Sequence, residues 1–141
     1  MKALNKADVF LINGAGMESY LDFALANFPT LPIVDASQGV ELLPDESGET
    51  EWNAHIWLDV GNARTMVDNL AAGLMARLPD KADAVAANRD AYEARLTALD
   101  DELRAALAEV SRKDIVTFHA AFPYFARAYG LNVAAVVTLE P

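Results

Sequence analysis

Two histidines and no cysteine make up the transition-metal and proton-transfer chemistry of this 141-residue chain: His55 in NAHIWLD and His119 in VTFHAAF. Each sits where a short apolar segment gives way to a helix start. In open parallel sheets, ligands collect beyond the carboxyl ends of strands, where loops lead into helices, and His119 is at that kind of position. Imidazole without thiolate suits zinc, which wants four ligands, and carboxylates could supply one or two of them. The competing reading is that each histidine is a hydrogen-bonded structural residue beside a strand, and spacing alone leaves both open. Disulfides, thiolate sites and Cys nucleophiles are excluded outright, and the redox compartment is not fixed. Hydrolysis by zinc-bound water would need three protein ligands around an open position plus a base, and nothing in the spacing supplies them.

Other constellations are weaker. Asn13-Gly14-Ala15-Gly16 looks superficially like a phosphate loop, but it lacks a third glycine at the right distance and a following lysine, so a tight turn is the better reading. Ser19, Ser37, Ser47 and Ser111 lie in no nucleophile-elbow context. Phe118, Phe122, Tyr124, Phe125 and Tyr129 surround His119, and core packing accounts for them. Of Trp52 and Trp57, which flank His55, the pattern does not say which is core and which is surface.

These residues need elements to hold them, and the longest is a helix over residues 79–110. Val85, Tyr92, Leu96, Leu99, Leu103, Leu107 and Val110 recur at helical spacing and predict one buried stripe, with Leu96, Leu99 and Leu103 facing inward. Pro79, Asp80 and Asp83 mark its start as a carboxylate-capped N-terminus, and Asp100 with Arg104 forms an i, i+4 pair on a solvated face. At about 1.5 Å per residue such a helix is a strut of roughly 45 Å. Before it, residues 2–7 read as a helix tail and residues 9–12 (VFLI) as a strand buried on both faces. Met17, Tyr20, Leu21, Ala24, Leu25 and Phe28 then mark an amphipathic helix, and residues 32–34 a second strand. Residues 38–52 read as a surface loop, and a helix from Asp59 carries Met66, Leu70, Leu74 and Leu78. After it, residues 115–118 (IVTF) and 133–138 (VAAVVT) read as strands around a helix with Pro123 in its first turn and Gly130 as terminator. The predicted class is α/β, divided into residues 1–78, the strut at 79–110, and residues 111–141. Two strands on each side cannot bury both faces of a sheet, so the chain is expected to be part of something larger and, alone, to self-associate or be marginally stable.

A formal net charge of −10 argues against nucleic acid or an anionic membrane as partner, because both need a basic surface, and it is mildly favourable to cations. The first residues carry no long apolar run, so neither a signal peptide nor a membrane span is expected in this chain, nor a lipid-anchor cysteine.

The motifs together resemble one family. Residues 53–60 are similar to DPHIWLDP, residues 117–125 to TFHDAFGYF, and residues 13–18 to NGxGxE, all found in the substrate-binding proteins of zinc and manganese ABC importers. The strut resembles that family's backbone helix. The resemblance implies two (β/α) lobes with parallel sheets, joined by the long helix and holding one metal ion between them. It implies His55 and His119 as ligands to Zn2+, with Mn2+ the alternative, in an extracytoplasmic receptor that hands the ion to a membrane permease. Binding, not catalysis, is the implied activity; the runner-up is a structural or interaction domain with no metal function of its own. Histidine at 119, where manganese-type members tend to carry glutamate, leans towards zinc. Ala54, Val60 and Ala120 depart from the pattern, and the family's first and fourth ligands would fall outside residues 1–141.

Overall fold

The structure, a computed structural model, describes residues 2–46, 48 and 50–137; Ser47, Thr138 and the side chain of Ala24 lie outside the described residues. The first apolar run forms strand β1 (Phe10–Ile12), which pairs in parallel with β2 (Ile33–Asp35) in the register Phe10 to Ile33 and Ile12 to Asp35. β1 is not buried on both faces as expected, since Leu11 is exposed, and Ile33 of β2 is exposed too. Between them the chain forms only a 3-10 turn (Ser19–Leu21) and a single helical turn, α1 (Asp22–Leu25). The longer amphipathic helix expected there does not form. Tyr20 and Phe23 are 78% and 88% exposed, with no apolar surface covering them among the described residues, and a helix this short is not stable on propensity alone. The helix tail expected at residues 2–7 reduces to a 3-10 turn (Leu4–Lys6).

Helix α2 (Val60–Arg77) begins where the apolar spacing predicts, with the Asp59 carboxylate accepting from the backbone N–H groups of Gly61 and Asn62. Gly73 lies inside it because β2 runs close by: a Cβ there would collide with the Val34 side chain. A 3-10 turn (Pro79–Lys81) leads into α3 (Ala82–Ala108), whose 27 residues span about 40 Å. Asp80 and Asp83 lie in the first turns as expected, but the N-cap residues, Leu78 and Lys81, make no side-chain capping bond. The short turn makes α2 and α3 antiparallel neighbours, tied by Arg64 to Glu93 at 2.6 Å and Arg89 to Asp68 at 3.8 Å. The buried face of α3 is rotated from the expected one. Leu96 is buried and Leu103 and Leu107 partly so, whereas Leu99 and Tyr92 are 43% and 44% exposed.

After α3, β3 (Asp114–Thr117) pairs in parallel with β4 (Asn132–Val136) across α4 (Pro123–Tyr129), with a register shift between Ile115 and Val116. Gly130 ends α4 at φ +65°, the left-handed geometry that a terminating glycine supplies cheaply. Among the described residues the core gathers in one cluster centred on Ile56 and Tyr124 and another on Val60, Leu96 and Tyr129. Both join residues from before the long helix to residues after it, so α4 packs on the α2 and α3 side of the chain. Among the described residues no helix is long and apolar enough to cross a membrane.

Candidate metal centre

His55 and His119 are 64 residues apart in sequence, and their Nε2 atoms stand 2.9 Å from each other. The rings meet edge to face with centroids 4.7 Å apart. His119 lies beyond the carboxyl end of β3 and is exposed; His55 precedes a 3-10 turn (Ile56–Leu58) and is half-buried. A cleft of about 360 Å³ opens over both rings, bounded by the turn at Gly16 and Met17, by Asp45 and Thr50 of the acidic loop, and by Phe118. Phe118, expected in the core, is 79% exposed because it sits at the end of β3, where nothing among the described residues packs over it. Trp57 is the exposed member of the tryptophan pair.

The loop carrying His55 is held by residues to which sequence reasoning assigned no part in positioning a histidine. Asn13 donates through Nδ2 to the Ala54 carbonyl at 3.0 Å. Asn13 itself sits in a tight turn whose Gly14, Ala15 and Gly16 all have positive φ, as the small residues suggested. Both Glu18 carboxylate oxygens accept backbone N–H groups of that turn, from Asn13 at 2.8 Å and Gly14 at 3.1 Å. Gly14 is also needed for space, since a Cβ there would strike the side chains of Asp35 and Ser37. Asn53, 4% exposed, bonds the His55 ring, and the buried Tyr124 hydroxyl donates to the Asn53 carbonyl at 2.8 Å while accepting from the Leu43 N–H at 2.9 Å. The only advance signals were the NGxGxE pattern and an asparagine two residues before a histidine.

Burial, followed by the neighbouring His119 charge, lowers the proton affinity of His55 below that of an ordinary histidine. Two ring nitrogens facing one point at this separation can share a proton or hold a cation. Zinc–nitrogen bonds of about 2.0–2.1 Å at a tetrahedral ion place two ligand nitrogens about 3.3 Å apart, a few tenths wider than the observed gap. Among the described residues no group of three or more His, Cys, Asp or Glu side chains is gathered in a way that could hold a metal ion, so these two imidazoles by themselves would leave a tetrahedral ion two ligands short.

A family model described as zinc-uptake complex component A, periplasmic (ZnuA), matches residues 1–141. The chain belongs to this family. It is 31% identical over 141 residues to the manganese-binding lipoprotein MntA of Halalkalibacterium halodurans, covering 99% of this chain and 47% of the relative. The crystal structure of Zn(II)-bound AdcA from Streptococcus pneumoniae superposes with a TM-score of 0.87 at 30% identity, covering 99% of this chain and 30% of that one. The periplasmic zinc binding protein TroA of Treponema pallidum superposes with a TM-score of 0.84 at 28% identity, covering 95% and 50%. The chain therefore spans about half, or less, of the length of the relatives it matches, and its α/β fold is that of these metal receptors.

Proposed function

We propose that this chain is the metal-holding part of an extracytoplasmic receptor of an ABC importer, one that captures Zn2+, with Mn2+ the alternative, and delivers it to a membrane permease. The observation that carries the reading is the approach of the two Nε2 atoms to 2.9 Å across a cleft, in a chain of the zinc-uptake family. His55 and His119 are the ligands this chain contributes, and the metal is cargo. A tetrahedral ion needs two more ligands, which this reading places outside residues 1–141. Residues 1–78 then belong to one lobe, 79–110 to the helix linking the lobes, and 111–141 to the start of the second. Binding is the activity; no catalytic step is required of any residue. The names of the relatives, a manganese-binding lipoprotein and zinc-binding lipoproteins, support both the ion and a place outside the cytoplasm.

Calorimetric titration of the 141-residue chain with zinc tests the assignment. Weak binding is expected, well below that of a four-ligand site, and His55→Ala and His119→Ala should each reduce it at least about tenfold. If both variants bind zinc as the parent does, the assignment is wrong. The exposed Leu11, Ile33, Val116 and Val136 on two-stranded sheets favour self-association of the chain at micromolar concentration. Light scattering showing a monodisperse monomer would count against that part of the reading.

A further inference from the structure

The geometry points to Asn53 as a positioning residue that sets the ring tautomer of His55 and at the same time tethers the loop bearing His119. This rests on the reading of the two histidines as ligands. The Asn53 Nδ2 donates to the Ala120 carbonyl at 2.6 Å, one residue past His119, and its Oδ1 accepts from the His55 backbone N–H at 3.0 Å. A carbonyl can only accept and a backbone N–H can only donate, so the amide is oriented from both ends. Its oxygen then faces the His55 Nδ1 at 3.0 Å, and since that oxygen cannot donate, Nδ1 carries the hydrogen in the neutral ring. Nε2 is then left unprotonated, its lone pair an acceptor within 2.9 Å of His119 Nε2. A histidine ligand is commonly fixed this way by the partner of its other nitrogen. Here one buried amide serves both ligands, which come from segments on opposite sides of the long helix. Its backbone is anchored in turn, by the Tyr124 hydroxyl and by the bond from the Asn53 N–H to the Leu43 carbonyl.

The test combines long-range 1H–15N correlation spectra of the histidine rings in the metal-free chain, at about pH 8 where imidazole is neutral, with zinc titration. The parent should show His55 as the Nδ1–H tautomer. Asn53→Ala should move it towards Nε2–H and weaken zinc binding by about 10- to 100-fold. Asn53→Asp keeps the acceptor but cannot donate to Ala120, so it should retain the Nδ1–H tautomer and still bind zinc less well. Tyr124→Phe, which loosens the backbone without touching the amide, should leave the tautomer unchanged. A parental tautomer or parental zinc affinity in Asn53→Ala overturns the proposal, as does a tautomer shift of equal size in Tyr124→Phe. Should Asn53→Ala not fold, Asn53→Asp decides: Nδ1–H with weakened binding supports the role, and Nε2–H or parental zinc binding overturns it. Unchanged zinc binding in His55→Ala would instead remove the ligand reading, a result visible separately from the tautomers.

Discussion

Replacing Leu96 by alanine should cost the chain about 3 to 5 kcal/mol, whereas the same change at Leu99 should cost about 1. Both leucines lie on α3 and both fall on its apolar stripe by spacing, but Leu96 is 7% exposed and Leu99 43%. The change removes three carbons, and at about 0.8 kcal/mol per buried methylene the transfer loss at a fully buried site is roughly 2.4 kcal/mol. At Leu96 a cavity term adds to this, because Val60, Tyr129 and the partly buried Leu103 and Phe125 around it relax only in part. At Leu99 little more than half of the side chain's surface is lost from water, solvent fills the space, and the better helix propensity of alanine offsets a few tenths of a kcal/mol. Arg95→Ala, which removes only a guanidinium 5.7 Å from the Tyr92 ring, should cost less than about 0.5 kcal/mol. Urea denaturation followed by far-UV circular dichroism, with a common slope across the variants, gives all three values. A Leu96 variant already unfolded without denaturant counts as the large loss. Equal losses at the two leucines, or a greater one at Leu99, would refute the assignment of the buried face.

Gly73→Ala should lower the melting temperature despite a gain of about 1 kcal/mol in helix propensity, because the new methyl must displace Val34 and with it β2; a raised melting temperature would mean that helix and strand are not in close contact. Burial, reinforced by the hydrogen bond to Asp100, pushes the Tyr129 phenol up to about 12, above its unfolded value. Its contribution is therefore fully present below about pH 10 and lost as the pH rises towards 12, and Tyr129→Phe should flatten that decline in urea midpoints. Zinc binding should fade below about pH 6, since ligating imidazoles must be neutral. With the proton affinity of His55 already lowered by burial and by His119, a competition titration that shows loss beginning above about pH 7 would contradict two-histidine ligation.

Much of this protein was determined locally and could be read without a structure. The apolar period of α2 and α3, the runs that become β1 to β4, the start of α2 at Asp59, Pro123 and Gly130 at the ends of α4, and the motifs around both histidines all depend on residues a few positions apart. Periodicity and cap chemistry act over that range, so these features survive in one dimension. Which face of α3 turns inward does not. Asp100, expected on a solvated face, accepts from the Tyr129 hydroxyl at 2.9 Å as well as from Arg104, while Leu99 on the stripe is left in water. The first helix shrinks to one turn because, among the described residues, no apolar surface covers Tyr20 and Phe23. The roles of Asn53 and Tyr124 rest on bonds spanning 67, 71 and 81 residues of sequence, and the site itself on one spanning 64. Burial and the pairing of buried polar groups are set by whatever the folded chain brings alongside, and a sequence pattern holds no information about a neighbour that only the tertiary structure supplies.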